Sequence, residues 1–169
     1  YGGPHAEAAA LHGVDARGAT LYVTLEPCVP FDGKRTPPCS AAIVAAGVAR
    51  VVVGIPDPHF PGAGIERLRA AGIHVDAGDG APQITSLLRP YLHLRQVGRP
   101  YVIVKFAVSL DGMAGAPAAG IRWLTSPAAI ERVHQDRARA GAILVGSGTV
   151  LTDDPALTAR PGGILAARQ

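Results

Sequence analysis

The stretch "PPCSAAIVAAGVARVVVGI", residues 37–55, decides the fold. Its first part carries small apolar residues, opens on two prolines and reaches Gly47, which predicts a helix over 37–50. Its last part, "VVVGI" (51–55), is short and wholly apolar, as expected of a strand covered on both faces. Upstream, "TLYVTLEP" (20–27) is β-rich and alternating and stops at Pro27. Downstream come a second helix, "GIERLRAAG" (64–72), and a third short strand, "IHVDAG" (73–78). Strand, helix, strand, helix, strand predicts βαβ units and a mostly parallel sheet.

Beyond that unit, "APQITSLLRPYLHLRQVGRP" (81–100) reads as a linking helix, broken or kinked at Pro90. A new pattern starts at "YVIVKFAVSLDG" (101–112), a predicted strand that embeds Lys105 and closes on an Asp111-Gly112 turn. "TSPAAIERVHQDRARAG" (125–141) predicts a helix with Ser126 as N-cap, Pro127 in the first turn and Gly141 past its end. "AILVGSGTVLTDDPALTAR" (142–160) predicts a strand running into a glycine-rich turn. The change of pattern places a domain boundary near residue 98, giving domains 1–98 and 99–169.

A hydrophobic content of 48% in 169 residues supplies a core and excludes a disordered chain. With only 3 Phe and 1 Trp, aliphatic side chains must do the packing. The net charge of +3 is mild and the basic residues are scattered, so charge does not point to nucleic acid. It suits a phosphorylated small molecule equally well. No apolar run reaches the roughly 18 residues needed to cross a bilayer, and no signal peptide is visible. A cytoplasmic protein that binds neither membrane nor nucleic acid is the expectation, with self-association left open.

The chemistry starts from the two cysteines, Cys28 and Cys39, separated by ten residues. A disulfide and a pair of inert thiols are the plain readings. Their positions argue otherwise. Cys28 follows a strand in "LEPC", and Cys39 opens a helix in "TPPC". His5 stands at the head of another helix in "PHAEAAAL", with Glu7 two positions on. By itself that pattern is also a helix start with an acid suited to the helix dipole. Taken with the cysteines, His5, Cys28 and Cys39 supply the three protein ligands of a catalytic zinc site, whose fourth position belongs to water. Zinc lowers the pKa of such a water to about 7, and Glu7 could shuttle its proton. H-x-E followed by P-C and a second Cys is the zinc-deaminase signature, except that the cysteines there are spaced C-x-x-C.

These segments resemble the deaminase half of the bifunctional riboflavin-biosynthesis deaminase/reductase family: "HAEAAAL", "GATLYVTLEPC", "GKRTPPCSAAIVAAGVARVVVGIPDP" and "GIERLRAAGI". "RPYVIVKFAVSLDGMAG", "RWLTSP" and "AILVGSGTVLTDDPALTAR" resemble the start of its reductase half. The resemblance implies a cytidine-deaminase-like three-layer α/β/α zinc domain, followed by the N-terminal part of a dihydrofolate-reductase-like α/β domain. It implies hydrolytic deamination of a 2,5-diamino-6-ribosylamino-pyrimidinone 5′-phosphate, with Glu7 as the acid/base, then NADPH-dependent reduction of the ribosyl group. Arg35 and Thr36 would bind the substrate phosphate. In the second half Ala107, Trp123, Thr149 and Asp153 match NADP-contacting positions, and Arg137, Leu157 and Arg160 match substrate positions. Lys105 and Asp111 are lesser candidates there.

The chain departs from the family pattern in places. The Cys28–Cys39 gap is longer than usual, Pro30 replaces a His and "FDG" intervenes, which unsettles a substrate contact. Ile121 stands where the family has a substrate Ser. "GSGTVL" has Leu151 where a dinucleotide G-x-G-x-x-G needs its last glycine, so a plain Rossmann reading fails. The resemblance also implies a chain that starts after the family's first strands and a substrate Asn, and that on its own would show neither complete activity. Two other readings are a zinc deaminase of nucleosides or bases and a non-catalytic zinc-stabilised module. The long gap and the second domain disfavour the former. Glu7 disfavours the latter, since a structural site needs no proton shuttle.

Overall fold

The computed structural model describes residues 3–114 and 124–160. By internal contacts the chain divides into two compact units, Tyr1–Ile103 and Val104–Gln169. The division falls a little beyond residue 98 because the Tyr101 ring packs edge-on against His93, with centroids 5.5 Å apart.

The first unit runs α1 (Ala6–Leu11), β1 (Thr20–Leu25), α2 (Cys39–Ala45), β2 (Arg50–Ile55), α3 (Ala63–Ala70), β3 (His74–Ala77), α4 (Ala81–Leu87) and α5 (Arg89–Val97). Its three strands form a parallel sheet in the order β1-β2-β3, with Leu21 opposite Val51 and Val51 opposite Val75. β2 is central, and Val51 to Ile55 are all buried. Alternation along the strands then sorts the layers. Val51, Val53 and Val75 face Ile43 of α2 and Ile65 and Leu68 of α3, and these residues form the core. The opposite face of β2 carries Gly54, where α4 comes close. A Cβ on Gly54 would lie 2.1 Å from Ile84 Cδ1 and 2.7 Å from Thr24 O, so only glycine admits that helix. β1 keeps one face toward the core through Leu21 and Val23 and leaves Tyr22 exposed on the other.

The predicted linking helix is two helices. α4 ends at Leu87, Leu88 is the junction, and Pro90 sits in the first turn of α5, where its missing N–H costs nothing. The helix predicted over 37–50 is shorter, because Pro38 is its N-cap and Gly47, at φ 70°, follows its end.

The second unit contains α6 (Pro127–Arg139) and α7 (Ser147–Asp153). Ser126 caps α6 as predicted, its hydroxyl oxygen accepting the Ala129 N–H at 3.3 Å. Two predicted strands are corrected. Residues 101–108 carry no regular secondary structure, and Val102, Ile103, Val104 and Phe106 are 71–76% exposed. A strand exists only through a neighbour's hydrogen bonds, and among the described residues nothing pairs with this segment. The turn that follows does form, with Ser109 N–H donating to Met113 O and Gly112 at φ 84°. Residues 142–146 likewise form no strand, and the glycine-rich segment opens α7 with Gly146 as N-cap.

One buried carboxylate ties the first unit together. Glu26, 3% exposed at the end of β1, accepts four backbone N–H groups. Asp57 and Gly62 donate to Oε2 at 3.1 and 2.9 Å, and Gly64 and Ile65 to Oε1 at 2.7 and 3.0 Å. Glu26→Gln should destabilise the fold by about 2–4 kcal/mol, since the new amide turns its own hydrogens toward two donors and leaves them buried without acceptors. Urea denaturation measures this. A loss below about 1 kcal/mol would show that the loop holds itself without the charge.

Candidate metal centre

Three chain segments bring their ends to one place. β1 ends at Leu25, and the next three residues put Cys28 beyond the sheet's carboxyl edge. α2 starts at Cys39, whose side chain is buried at 1% exposure. α1 starts after His5, which serves as its N-cap. The two cysteine segments are tied directly to each other. Ser40 N–H and Ser40 Oγ both donate to the Cys28 carbonyl, at 3.1 and 3.0 Å, and the Cys39 N–H donates to Cys28 Sγ at 3.2 Å.

His5 Nδ1 faces both sulfurs, 3.5 Å from Cys28 Sγ and 3.2 Å from Cys39 Sγ. The three donor atoms lie within 4.8 Å of one another. Zinc bonds of about 2.3 Å to sulfur and 2.0 Å to nitrogen, at tetrahedral angles, put S and N about 3.5 Å apart. The donor set therefore fits zinc in both chemistry and spacing. Both cysteines are free thiols, which removes the disulfide.

The thiols share charge unequally. The hydrogen bond from Cys39 draws the Cys28 thiol down to about 4, against its partial burial, and the Cys39 N–H and the Lys34 ammonium add to the effect. The same hydrogen bond pushes Cys39 upward, with burial and the nearby Glu7 carboxylate adding to it. Glu7, half-buried in the first turn of α1, has its carboxylate near the Cys39 thiol. His5, Cys28 and Cys39 therefore meet, with Glu7 on the helix that His5 caps.

Beside them opens a cleft of about 630 Å³, whose lining includes His5, Cys28, Lys34, Arg35 and Thr36. Both predicted phosphate residues are in its wall. The wall also holds residues that the sequence did not single out. Phe31, His59 and Phe60 form an aromatic cluster, with centroids 5.4 Å apart for Phe31 and Phe60 and 4.3 Å for His59 and Phe60. The Tyr91 hydroxyl donates to Asp57 Oδ1 at 3.2 Å, and Arg95 lies over the Tyr91 ring at 5.4 Å. "DPHF" and "RPYLHLR" carry no spacing that would reveal these contacts; they come from loops and a helix separate in sequence.

The remaining predicted residues belong to the second unit. Thr149 and Asp153 sit four apart on α7 and share a face. Arg137 is in the last turn of α6. Leu157 has φ 53°, an uncommon backbone state for a residue with a side chain. The Arg160 N–H donates to His134 Nδ1 of α6 at 3.3 Å. Ala107 lies in the irregular 101–108 segment, as does the exposed Lys105, and the Asp111 carboxylate accepts a hydrogen bond from the Ser109 hydroxyl. Trp123 and Ile121 lie outside the described residues.

Comparison with known proteins agrees with both units. Residues 2–55 match the cytidine and deoxycytidylate deaminase zinc-binding region, and residues 100–168 match the RibD C-terminal domain. Riboflavin biosynthesis protein RibD of Escherichia coli is 47% identical over 163 residues, covering 94% of this chain and 44% of that protein. The Mycobacterium tuberculosis protein of the same name is 46% identical over 173 residues, covering 99% of this chain and 50% of its own length. Among solved structures, the Thermotoga maritima diaminohydroxyphosphoribosylaminopyrimidine deaminase/5-amino-6-(5-phosphoribosylamino)uracil reductase superposes with a TM-score of 0.83 at 40% identity. That match covers 95% of this chain and 47% of the other. Acinetobacter baumannii RibD gives 0.83 at 42% identity, covering 98% and 48%. The chain spans about half the length of the relatives it matches. It combines a cytidine-deaminase-like zinc domain with a dihydrofolate-reductase-like one in the order these relatives share. Over the part that it spans, the chain is a homologue of the RibD proteins of riboflavin biosynthesis.

Proposed function

We propose that the first unit is a zinc-dependent hydrolytic deaminase of riboflavin biosynthesis, acting on a 2,5-diamino-6-ribosylamino-pyrimidinone 5′-phosphate. One observation carries this reading: His5, Cys28 and Cys39 converge at zinc-ligand spacing, with Glu7 in the first turn of the helix that His5 caps. A zinc ion held by the three residues would lower the pKa of the water it binds to about 7. Glu7 would carry one proton of such a water to the ring nitrogen as the water oxygen bonds to the ring carbon, and the second to the exocyclic amine. The C–N bond would then break, with ammonia leaving and a carbonyl remaining on the ring. Phe31, His59 and Phe60 give the cleft an aromatic wall for a flat ring. Lys34, Arg35, Thr36 and Arg95 give it the donors that a phosphate requires.

The second unit belongs, on this proposal, to an NADPH-dependent reductase that converts the ribosyl group to ribityl. Ala107, Trp123, Thr149 and Asp153 contact the cofactor, and Arg137, Leu157 and Arg160 contact the substrate. The match of residues 100–168 to the RibD C-terminal domain supports this reading. A cytoplasmic site for both reactions accords with the thiol ligands, which need a reducing compartment. Among the described residues no helix is long and apolar enough to cross a membrane.

Two variants of the full-length gene product separate metal from catalysis. Cys28→Ser should lose most of its zinc by elemental analysis, and undiminished zinc would remove Cys28 from the ligand set. Glu7→Gln should keep its zinc while deamination falls by about 10²- to 10⁴-fold. Turnover at the parent rate would reduce Glu7 to a helix-terminus residue.

A further inference from the structure

His5 has two ring nitrogens, and only one of them faces the metal centre. Nδ1 looks at both sulfurs. Nε2 looks the other way, 3.5 Å from Thr36 Oγ1. The same hydroxyl oxygen accepts from Lys34 Nζ at 3.1 Å. Lys34 and Thr36 therefore form a chain of contacts that ends on the His5 nitrogen turned away from the sulfurs.

The loop is shaped to hold Lys34 in this position. A turn brings the Lys34 N–H to the Phe31 carbonyl at 3.2 Å, with Gly33 at φ 81°. The Phe31 ring lies 5.7 Å below the ammonium, and Phe31 is itself braced by Phe60. Lys34 is half-buried, so its charge is less screened than that of a free surface lysine.

We infer that Lys34 and Thr36 are positioning residues for the metal centre: Thr36 fixes the His5 ring with Nε2 protonated and Nδ1 free to bind metal, and Lys34 holds Thr36 in place. A histidine ligand commonly donates its second N–H to an oxygen acceptor, which sets its tautomer and orientation. Thr36 can do this and still contact a phosphate. Its oxygen accepts from Lys34 and His5 while its own O–H remains free to donate. The inference rests on the zinc reading proposed above but concerns affinity rather than turnover.

The test is zinc affinity, measured by competition with a chromophoric chelator on the full-length gene product. Lys34→Met and Thr36→Val should each weaken zinc binding by about 10- to 100-fold. Lys34→Arg and Thr36→Ser should stay within a few-fold of wild type, with unchanged far-UV circular dichroism in all four. If the two residues form one network, the double variant should lose less than the product of the single losses. Zinc affinities of Lys34→Met and Thr36→Val equal to wild type would overturn the inference alone. A wild-type protein that takes up no zinc would overturn the metal reading and this inference with it.

Discussion

The Glu26 side chain is the constraint on which the first unit depends. Its two oxygens take four backbone N–H groups from residues 57–65, a stretch that would otherwise be an irregular crossing with buried donors. Two of the four, Gly64 and Ile65, lie in the first turn of α3, so the carboxylate also serves the exposed end of the helix dipole. The fit is tight enough to dictate sequence. A Cβ on Gly64 would stand 2.1 Å from the Pro27 carbonyl oxygen. Glu26 thereby fixes where β1 ends and where the next crossover returns to the sheet. Cys28 leaves from that fixed point, and so does one wall of the cleft.

The metal centre uses the same edge of the sheet. In open parallel sheets, ligands collect beyond the carboxyl ends of the strands, where loops diverge and helix starts face inward. Here β1 supplies Cys28 and the start of α2 supplies Cys39, and the backbone bonds between them make the sulfur pair a property of the fold. His5 belongs to a short helix with no buried residue and is exposed. Cys39 is thus buried in the fold, Cys28 is pinned to it by backbone bonds, and His5 is brought to both. Glu7 arrives on the same short helix.

The parallel unit was legible in the sequence because its signals are local. "VVVGI" has no polar face to show to water, and Pro37, Pro38 and Gly47 bracket the helix before it. The ligands were legible because His, Cys and Glu at element ends have few other uses. Glu26 was not. In "LEPC" it reads as a polar residue at a strand end, and nothing nearby announces that its partners lie more than thirty residues on. The aromatic cluster was hidden for the same reason, since Phe31 meets His59 and Phe60 only after both loops are placed. "YVIVKFAVSLDG" misled in the other direction. Its β-propensity is strong, but a strand is a relation between segments, and propensity in one segment cannot supply the other.

The bonds between Cys28 and the Cys39–Ser40 step have a consequence for how this protein can change. They hold the two sulfur-bearing segments together without help from the residues between, so residues 29–38 form a bridge whose ends are already pinned. Lengthening such a bridge adds little closure entropy, because that cost grows only with the logarithm of length. Insertions there can alter the wall of the cleft while the two sulfurs stay in place. What such a change has to preserve is the pair of contacts that Lys34 and Thr36 make behind His5. The shape of the cleft is thus freer to vary than the three side chains that could hold a metal.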